Sequence, residues 1–209
     1  MNKKYAIFDM DGTLVDSMGY WKLLAAEYLK HKGVDCIPDT VLEKIKPMTM
    51  AESAALFKEE FQLEGTPEAI AAEMNDVMNK HYYNDIPLKE GVREYLRKLH
   101  DSGTIMCVAS ATDIPLVEAC LTRLEIIDFF SFLLSCEMVG AGKRKADIYL
   151  EAAKRFGASP EEIAVYEDAL YAARTAKTAG FYVVGVFDHS SAEHFEELKM
   201  LSDEIIQTW

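Results

Sequence analysis

The chain has 209 residues, 50% of them hydrophobic, and 35 acidic against 22 basic side chains leave a formal net charge of −13. That length can bury roughly 70% of the surface its unfolded form exposes, so no disulfide or structural metal is needed for folding. The acidic balance argues against nucleic-acid and anionic-membrane partners; no stretch approaches the ~20 apolar residues of a membrane span, and Asp9 interrupts the N-terminal apolar run before it could act as a secretory leader.

In chain order, residues 4–8 form an apolar, aromatic run that breaks at Asp9 and Gly12, which predicts a buried strand ending in a tight loop. Residues 17–87 carry no strand pattern but helical patterns over 21–31, 41–45, 51–61 and 67–83, punctuated by Pro38, Pro47 and Pro67. Beyond them strands are predicted at 104–109, 132–134, 163–166 and 182–187. Helices at 91–100, 115–124, 146–156 and 170–179 alternate with these strands, and Gly103, Gly157 and Gly180 stand at helix stops. This alternation predicts an α/β fold, a Rossmann-like doubly wound parallel sheet formed by residues 1–16 and 88–209. A small all-helical cap domain, residues 17–87, is inserted after the first strand and is expected over the carboxyl ends of the strands. Cys36, Cys107, Cys120 and Cys136 form no close pair and read as reduced core thiols of a cytoplasmic protein. Met48, Met50, Met74 and Met78 read as packing residues, and His189 and His194 as surface residues.

The segment Asp9-Met10-Asp11-Gly12-Thr13-Leu14-Val15-Asp16-Ser17 carries the most chemistry. The strand delivers Asp9 and Asp11 together to the rim of the sheet, with Gly12 allowing a tight turn. Two neighbouring carboxylates can share a divalent cation or divide the roles of nucleophile and acid–base. Alone they fit an Asp-rich turn better than a catalytic pair, with Asp16 or Ser17 as an N-cap. Further along, Val108-Ala109-Ser110-Ala111-Thr112 ends a strand in a hydroxyl, Gly142-Lys143 precedes Asp147-Ile148-Tyr149-Leu150, and Tyr166-Glu167-Asp168 ends another strand in acids. Taken singly, Ser110, Glu167 and Asp168 could cap the helices that follow, and Lys143 and Lys145 could be solvated.

In this order the four segments resemble the motifs of the haloacid dehalogenase superfamily, over nearly the whole chain, with Arg144 and Ala146 where that family usually has prolines. The helical insert is similar to that of the beta-phosphoglucomutase-like subgroup, which also contains small sugar-phosphate phosphatases. The resemblance implies a Mg²⁺-dependent phosphomonoester hydrolase working through an aspartyl-phosphate. Asp9 would be the nucleophile and Asp11 the acid–base. Lys143, the Ser110 hydroxyl and backbone N–H groups such as that of Ala111 would bind the phosphate. Mg²⁺ would be held by Asp9, the backbone carbonyl of Asp11, Asp168 and Glu167. Lys143 is preferred to Lys145 because it directly follows Gly142.

The intact Asp9-x-Asp11 pair sets the chain apart from dehalogenating and phosphonate-cleaving relatives. A phosphomutase must hold a second phosphate, and the cap segment that this chain resembles carries an arginine there; within residues 46–53 Met50 falls where that arginine is expected. Lys46 or Lys80 could replace it only as point charges, without the bidentate contact of a guanidinium. The expectation is therefore a phosphatase acting on a small phosphorylated metabolite such as a sugar phosphate. A mutase, and a non-catalytic protein that binds a phosphometabolite, are the alternatives. Met18, Gly19, Tyr20 and Trp21 are expected to face the site, hinges near Asp16 and Pro87 to let the cap close, and the chain to be a monomer.

Overall fold

The computed structural model describes residues 3–45, 48 and 50–209. Among these residues six strands form one sheet: β1 (Tyr5–Phe8), β2 (Ile105–Ser110), β3 (Phe130–Ser135), β4 (Ile163–Glu167), β5 (Tyr182–Val186) and β6 (Glu204–Ile206). Every pairing is parallel, in the order β3-β2-β1-β4-β5-β6. A parallel sheet covered on both faces needs strands without a polar side, and every residue of β1 and β4 is buried. This is the doubly wound, Rossmann-like sheet that the alternation of patterns predicts.

The chain divides into two compact units, Met1–Met18 with Ile86–Trp209, and Gly19–Asp85. The second unit is helical: α1 (Met18–His31), α2 (Asp39–Ile45), α3 (Met50–Phe61) and α4 (Pro67–Asn84). Thr66 caps α4, its Oγ1 accepting from Ala69 N across 3.2 Å, and Pro67 occupies the first turn, where a missing N–H costs nothing. Ile70, Met74, Val77, Met78 and Tyr82 recur at helical spacing as the buried face of α4. Trp21 Nε1 donates to Tyr82 Oη across 2.9 Å, and the Tyr20 ring lies 4.8 Å from that of His81. Both aromatic residues of the Met18–Trp21 stretch therefore have partners on α4. Lys46 lies outside the described residues.

The first unit continues with α5 (Val92–Asp101), α6 (Ile114–Arg123), α7 (Cys136–Val139), α8 (Asp147–Phe156), α9 (Leu170–Thr178) and α10 (Phe195–Leu201). On one side of the sheet, Ile7, Cys107 and Val165 share a core with Ala152 and Ala153 of α8 and Ala173 and Ala176 of α9. Alanines on the inner helix faces let the helices approach the strands closely. On the other side Phe8 stacks on Tyr166, with ring centroids 4.1 Å apart, and Tyr95 and Trp209 extend the aromatic cluster. Phe8 and Tyr166 are fully buried, and a phenylalanine side chain buried in this way contributes about 1.5–3 kcal/mol over its exposed form.

Besides α7 and α10, which no predicted helix covers, three features depart from expectation. β3 is longer than residues 132–134. β6 is a sixth strand with no pattern to announce it, seated by Asp203, whose carboxylate accepts from Val183 N across 2.8 Å, and by Phe187 N, which donates to Ile206 O across 2.8 Å. The cysteines are all free, but only Cys107 and Cys120 are buried; Cys36 is exposed and Cys136 half-buried, so the core reading fails for Cys36. No helix among the described residues is long and apolar enough to cross a membrane.

Candidate active site

The strand order reverses between β1 and β4, the switch point at which open α/β sheets bind their ligands at the carboxyl ends of the strands. Asp9 follows β1, Ser110 ends β2, and Glu167 ends β4 with Asp168 next in sequence. Pairing of β1 with β4 continues one residue past β1, where Asp9 N donates to Tyr166 O across 3.0 Å. The chain then turns sharply: Leu14 N and Val15 N both donate to Met10 O, across 2.9 and 3.0 Å. Gly12 adopts a φ of +81°, and a Cβ there would stand 2.6 Å from Asp168 Oδ2. Only glycine fits that turn, for conformation and for space.

Asp9, Lys143, Glu167 and Asp168 are all buried and lie together. Lys143 Nζ donates to Asp9 Oδ1 and, across 2.7 Å, to Glu167 Oε1. Tyr149 Oη donates to the same Glu167 oxygen, also across 2.7 Å. Thr13 Oγ1 donates to Asp168 Oδ1 across 3.1 Å. Asp11 stands beside this cluster in a ring of hydroxyls: Ser17 Oγ donates to Oδ1 across 2.6 Å, Thr112 Oγ1 to Oδ2 across 2.7 Å, and Ser110 Oγ to Oδ2 across 3.5 Å.

Burial pushes the Asp9 carboxyl well above the usual carboxylate range; Lys143 opposes this, while Glu167, Asp168 and Asp11 add to it. Lys143 is itself held well above the ordinary lysine value, because Asp9 and Glu167 outweigh the effect of its burial. Asp168 is pushed up to about 7, first by burial and then by Glu167 and Asp188, against Lys89 and Lys143. Three buried carboxylates thus share one buried ammonium, which pairs with only two of them, Asp9 and Glu167, and the cluster is short of positive charge. Asp9, Glu167 and Asp168 each present an oxygen within 4.8 Å of the others. An all-oxygen, anionic donor set of this kind fits a hard divalent cation such as Mg²⁺.

The structure brings Asp9, Asp11, Ser110, Lys143, Glu167 and Asp168 to one end of the sheet. Lys145 and Ala111 are exposed. Ser110 Oγ accepts from Thr112 N across 2.9 Å, closing a turn instead of capping α6. The residue at the head of α9 is Ala169, so neither Glu167 nor Asp168 serves as its cap. Ser17 turns its hydroxyl to Asp11. Sequence reasoning missed Thr13, Tyr149 and Thr112 as partners of the acids; Tyr149 could have been found from its place on the inward face of the helix after Lys143. It also missed Lys89 and Asp188, a pair 2.7 Å apart and distant in sequence.

A family model for haloacid dehalogenase-like hydrolases matches residues 6–186. The chain belongs to this family. Its relatives include hexitol phosphatase B of Escherichia coli (strain K12), 28% identical over 83% of this chain and 79% of that protein. They also include the fructose-1-phosphate phosphatase YqaB of the same organism, 26% identical over 89% of this chain and 98% of that protein. Among solved structures of the same fold is CbbY from Rhodobacter sphaeroides in complex with phosphate, at a TM-score of 0.80 and 22% identity, covering 99% of this chain and 95% of that one. Beta-phosphoglucomutase from Clostridium difficile also shares it, at 0.74 and 21%, over 99% and 92% of the two chains.

Proposed function

We propose that the chain is a Mg²⁺-dependent phosphatase that hydrolyses the phosphomonoester of a small phosphorylated metabolite, such as a sugar or polyol phosphate, through an aspartyl-phosphate on Asp9. The observation that carries this reading is the buried Asp9 carboxylate, bonded on one oxygen by Lys143 and flanked by Glu167 and Asp168. Relatives named as sugar-phosphate and hexitol phosphatases support the substrate class.

Asp9, Glu167, Asp168 and the backbone carbonyl of Asp11 would hold the cation. When bound, Mg²⁺ supplies positive charge that offsets the repulsion between Asp9 and an incoming phosphoryl group. Lys143 holds Asp9 and Glu167 in place and binds a phosphoryl oxygen, with the Ser110 hydroxyl and the Ala111 N–H taking the others. An Asp9 oxygen bonds to phosphorus as the ester P–O bond breaks, and the proton carried by Asp11 passes to the leaving oxygen. Water then attacks the phosphorus, gives its proton to Asp11, and inorganic phosphate leaves with Asp9 restored. The hydroxyls of Ser17 and Thr112 keep the Asp11 carboxylate oriented for both transfers.

The test is phosphate release from a panel of hexitol, ketose and aldose phosphates, in Mg²⁺ and in EDTA, with wild type and Asp9→Asn. Release that needs Mg²⁺ and is abolished by the substitution is expected; substantial turnover by Asp9→Asn refutes the nucleophile. Conversion of beta-glucose 1-phosphate to glucose 6-phosphate, with its bisphosphate activator and little free phosphate, would establish a mutase instead.

A further inference from the structure

Outside the acid cluster, Lys89 is the most heavily engaged lysine in the first unit. It lies where the chain re-enters that unit, three residues after Ile86. Its ammonium donates to the carbonyl of Gly12, to the carbonyl of Phe187 across 3.1 Å, and to Asp188 Oδ2 across 2.7 Å. The Lys89 side chain is 14% exposed and that of Asp188 6%. Asp188 is fixed in turn: its Oδ1 accepts from Ser190 N across 2.8 Å and from Ser190 Oγ across 2.5 Å. One ammonium therefore ties the turn after β1 to the turn after β5.

Asp168 lies between those two turns. On one side Gly12 packs against its carboxylate and Thr13 donates to its Oδ1. On the other, Ser191 Oγ, three residues beyond Asp188, donates to its backbone carbonyl across 3.2 Å. A bond to the Gly12 carbonyl sets the orientation of the Gly12–Thr13 peptide, and so both the approach of Gly12 to Asp168 and the position of the Thr13 hydroxyl. We propose that Lys89, paired with Asp188, is a positioning residue that holds Asp168 in its cation-binding orientation by clamping the β1 and β5 turns against it. This inference rests on the reading that Asp9, Glu167 and Asp168 hold a divalent cation. Partners that orient a metal-binding carboxylate affect metal affinity by about 10–100-fold without touching the ion.

The experiment is direct titration of the EDTA-stripped full chain with Mn²⁺, following free Mn²⁺ by electron paramagnetic resonance, with thermal melting alongside. Lys89→Met is expected to weaken Mn²⁺ binding by about 10-fold or more, and Lys89→Arg to recover part of the loss. At saturating metal the KM for the phosphate ester should stay near the wild-type value. The Lys89→Met, Asp188→Asn double variant removes both charges together, leaves neither unpaired, and should bind Mn²⁺ no more tightly than Lys89→Met. Wild-type Mn²⁺ affinity in folded Lys89→Met overturns the proposal; if that variant does not fold, wild-type affinity in the double variant does so. Wild-type affinity in Asp168→Asn, or no Mn²⁺ binding by wild type, refutes the cation site itself and the positioning role with it.

Discussion

Tyr149 and Lys143 meet on a single oxygen: the tyrosine hydroxyl and the lysine ammonium both donate to Glu167 Oε1, each across 2.7 Å. Tyr149 is fully buried, so its hydroxyl has no water to turn to, and Glu167 depends on it for a second donor. Tyr149→Phe keeps the ring and removes that donor. A hydrogen bond to a charged group contributes about 1.5–3 kcal/mol, so thermal or urea unfolding should register a loss of that order. Phosphate release should fall as Glu167 swings, with the deficit partly overcome by higher Mg²⁺.

Gly12→Ala tests the closest approach in the site. The new methyl would meet Asp168 Oδ2 at 2.6 Å, and alanine would have to hold a φ of +81°. Left-handed backbone for a residue with a Cβ costs about 1–3 kcal/mol, and Asp168 must shift to make room. A lower melting temperature together with a higher Mg²⁺ requirement is expected; a wild-type Mg²⁺ requirement would mean that Asp168 tolerates the shift.

Removing Lys143 and removing Asp9 should have opposite effects on stability, although both end turnover. Lys143→Met leaves Asp9 and Glu167 buried without their ammonium, and breaking a buried pair in this way costs about 3–5 kcal/mol. Asp9→Asn instead removes one of several crowded negative charges, whose carboxyl burial already holds above its normal range. Urea denaturation of the two metal-free variants should place Lys143→Met well below wild type and Asp9→Asn at or above it.

His81 gives the helical unit a pH dependence. Burial alone would lower its pKa, but Asp85, 2.8 Å from Nδ1, and Glu27, 3.2 Å from Nε2, outweigh burial and raise it. A raised folded value means that the ion pairs stabilise fully below the unfolded pKa of about 6.5, and that this contribution is lost as pH climbs through the folded value. Asp85 and Glu27 are 50% and 40% exposed, so the effect is small. Melts from mild acid to mild alkali should show a decline in wild type that flattens in His81→Gln.

Legibility in the sequence followed from the range of the interactions. β1 and β4 are uninterrupted apolar runs ended by acids, so both the strands and the arrival of Asp9, Glu167 and Asp168 at their carboxyl ends could be read locally. Nothing local marks β6: its three residues are too few for a period, and Asp203 and Phe187 seat it by tertiary bonds. Besides Ser110, the hydroxyls on Asp11 come from Ser17 and Thr112, of which one looked like a helix cap and the other like the tail of a strand. Lys89 and Asp188 are separated by nearly half the chain, and each reads as an ordinary surface charge until the sheet closes. Cys36 sits near apolar neighbours in sequence but on the outside in space.

Asp16 N donates to Pro87 O across 3.0 Å, and Lys89 N to Leu14 O across 3.0 Å, so the outgoing and returning chains are stitched side by side. A segment whose two ends already touch asks almost nothing of the sheet that hosts it. Doubling the length of a flexible loop costs only about 0.6 kcal/mol in closure entropy, and here closure is secured by the stitch itself. Gly19–Asp85 is in this sense a cassette: its two ends are held together by the chain on either side of it, at Asp16 and Pro87.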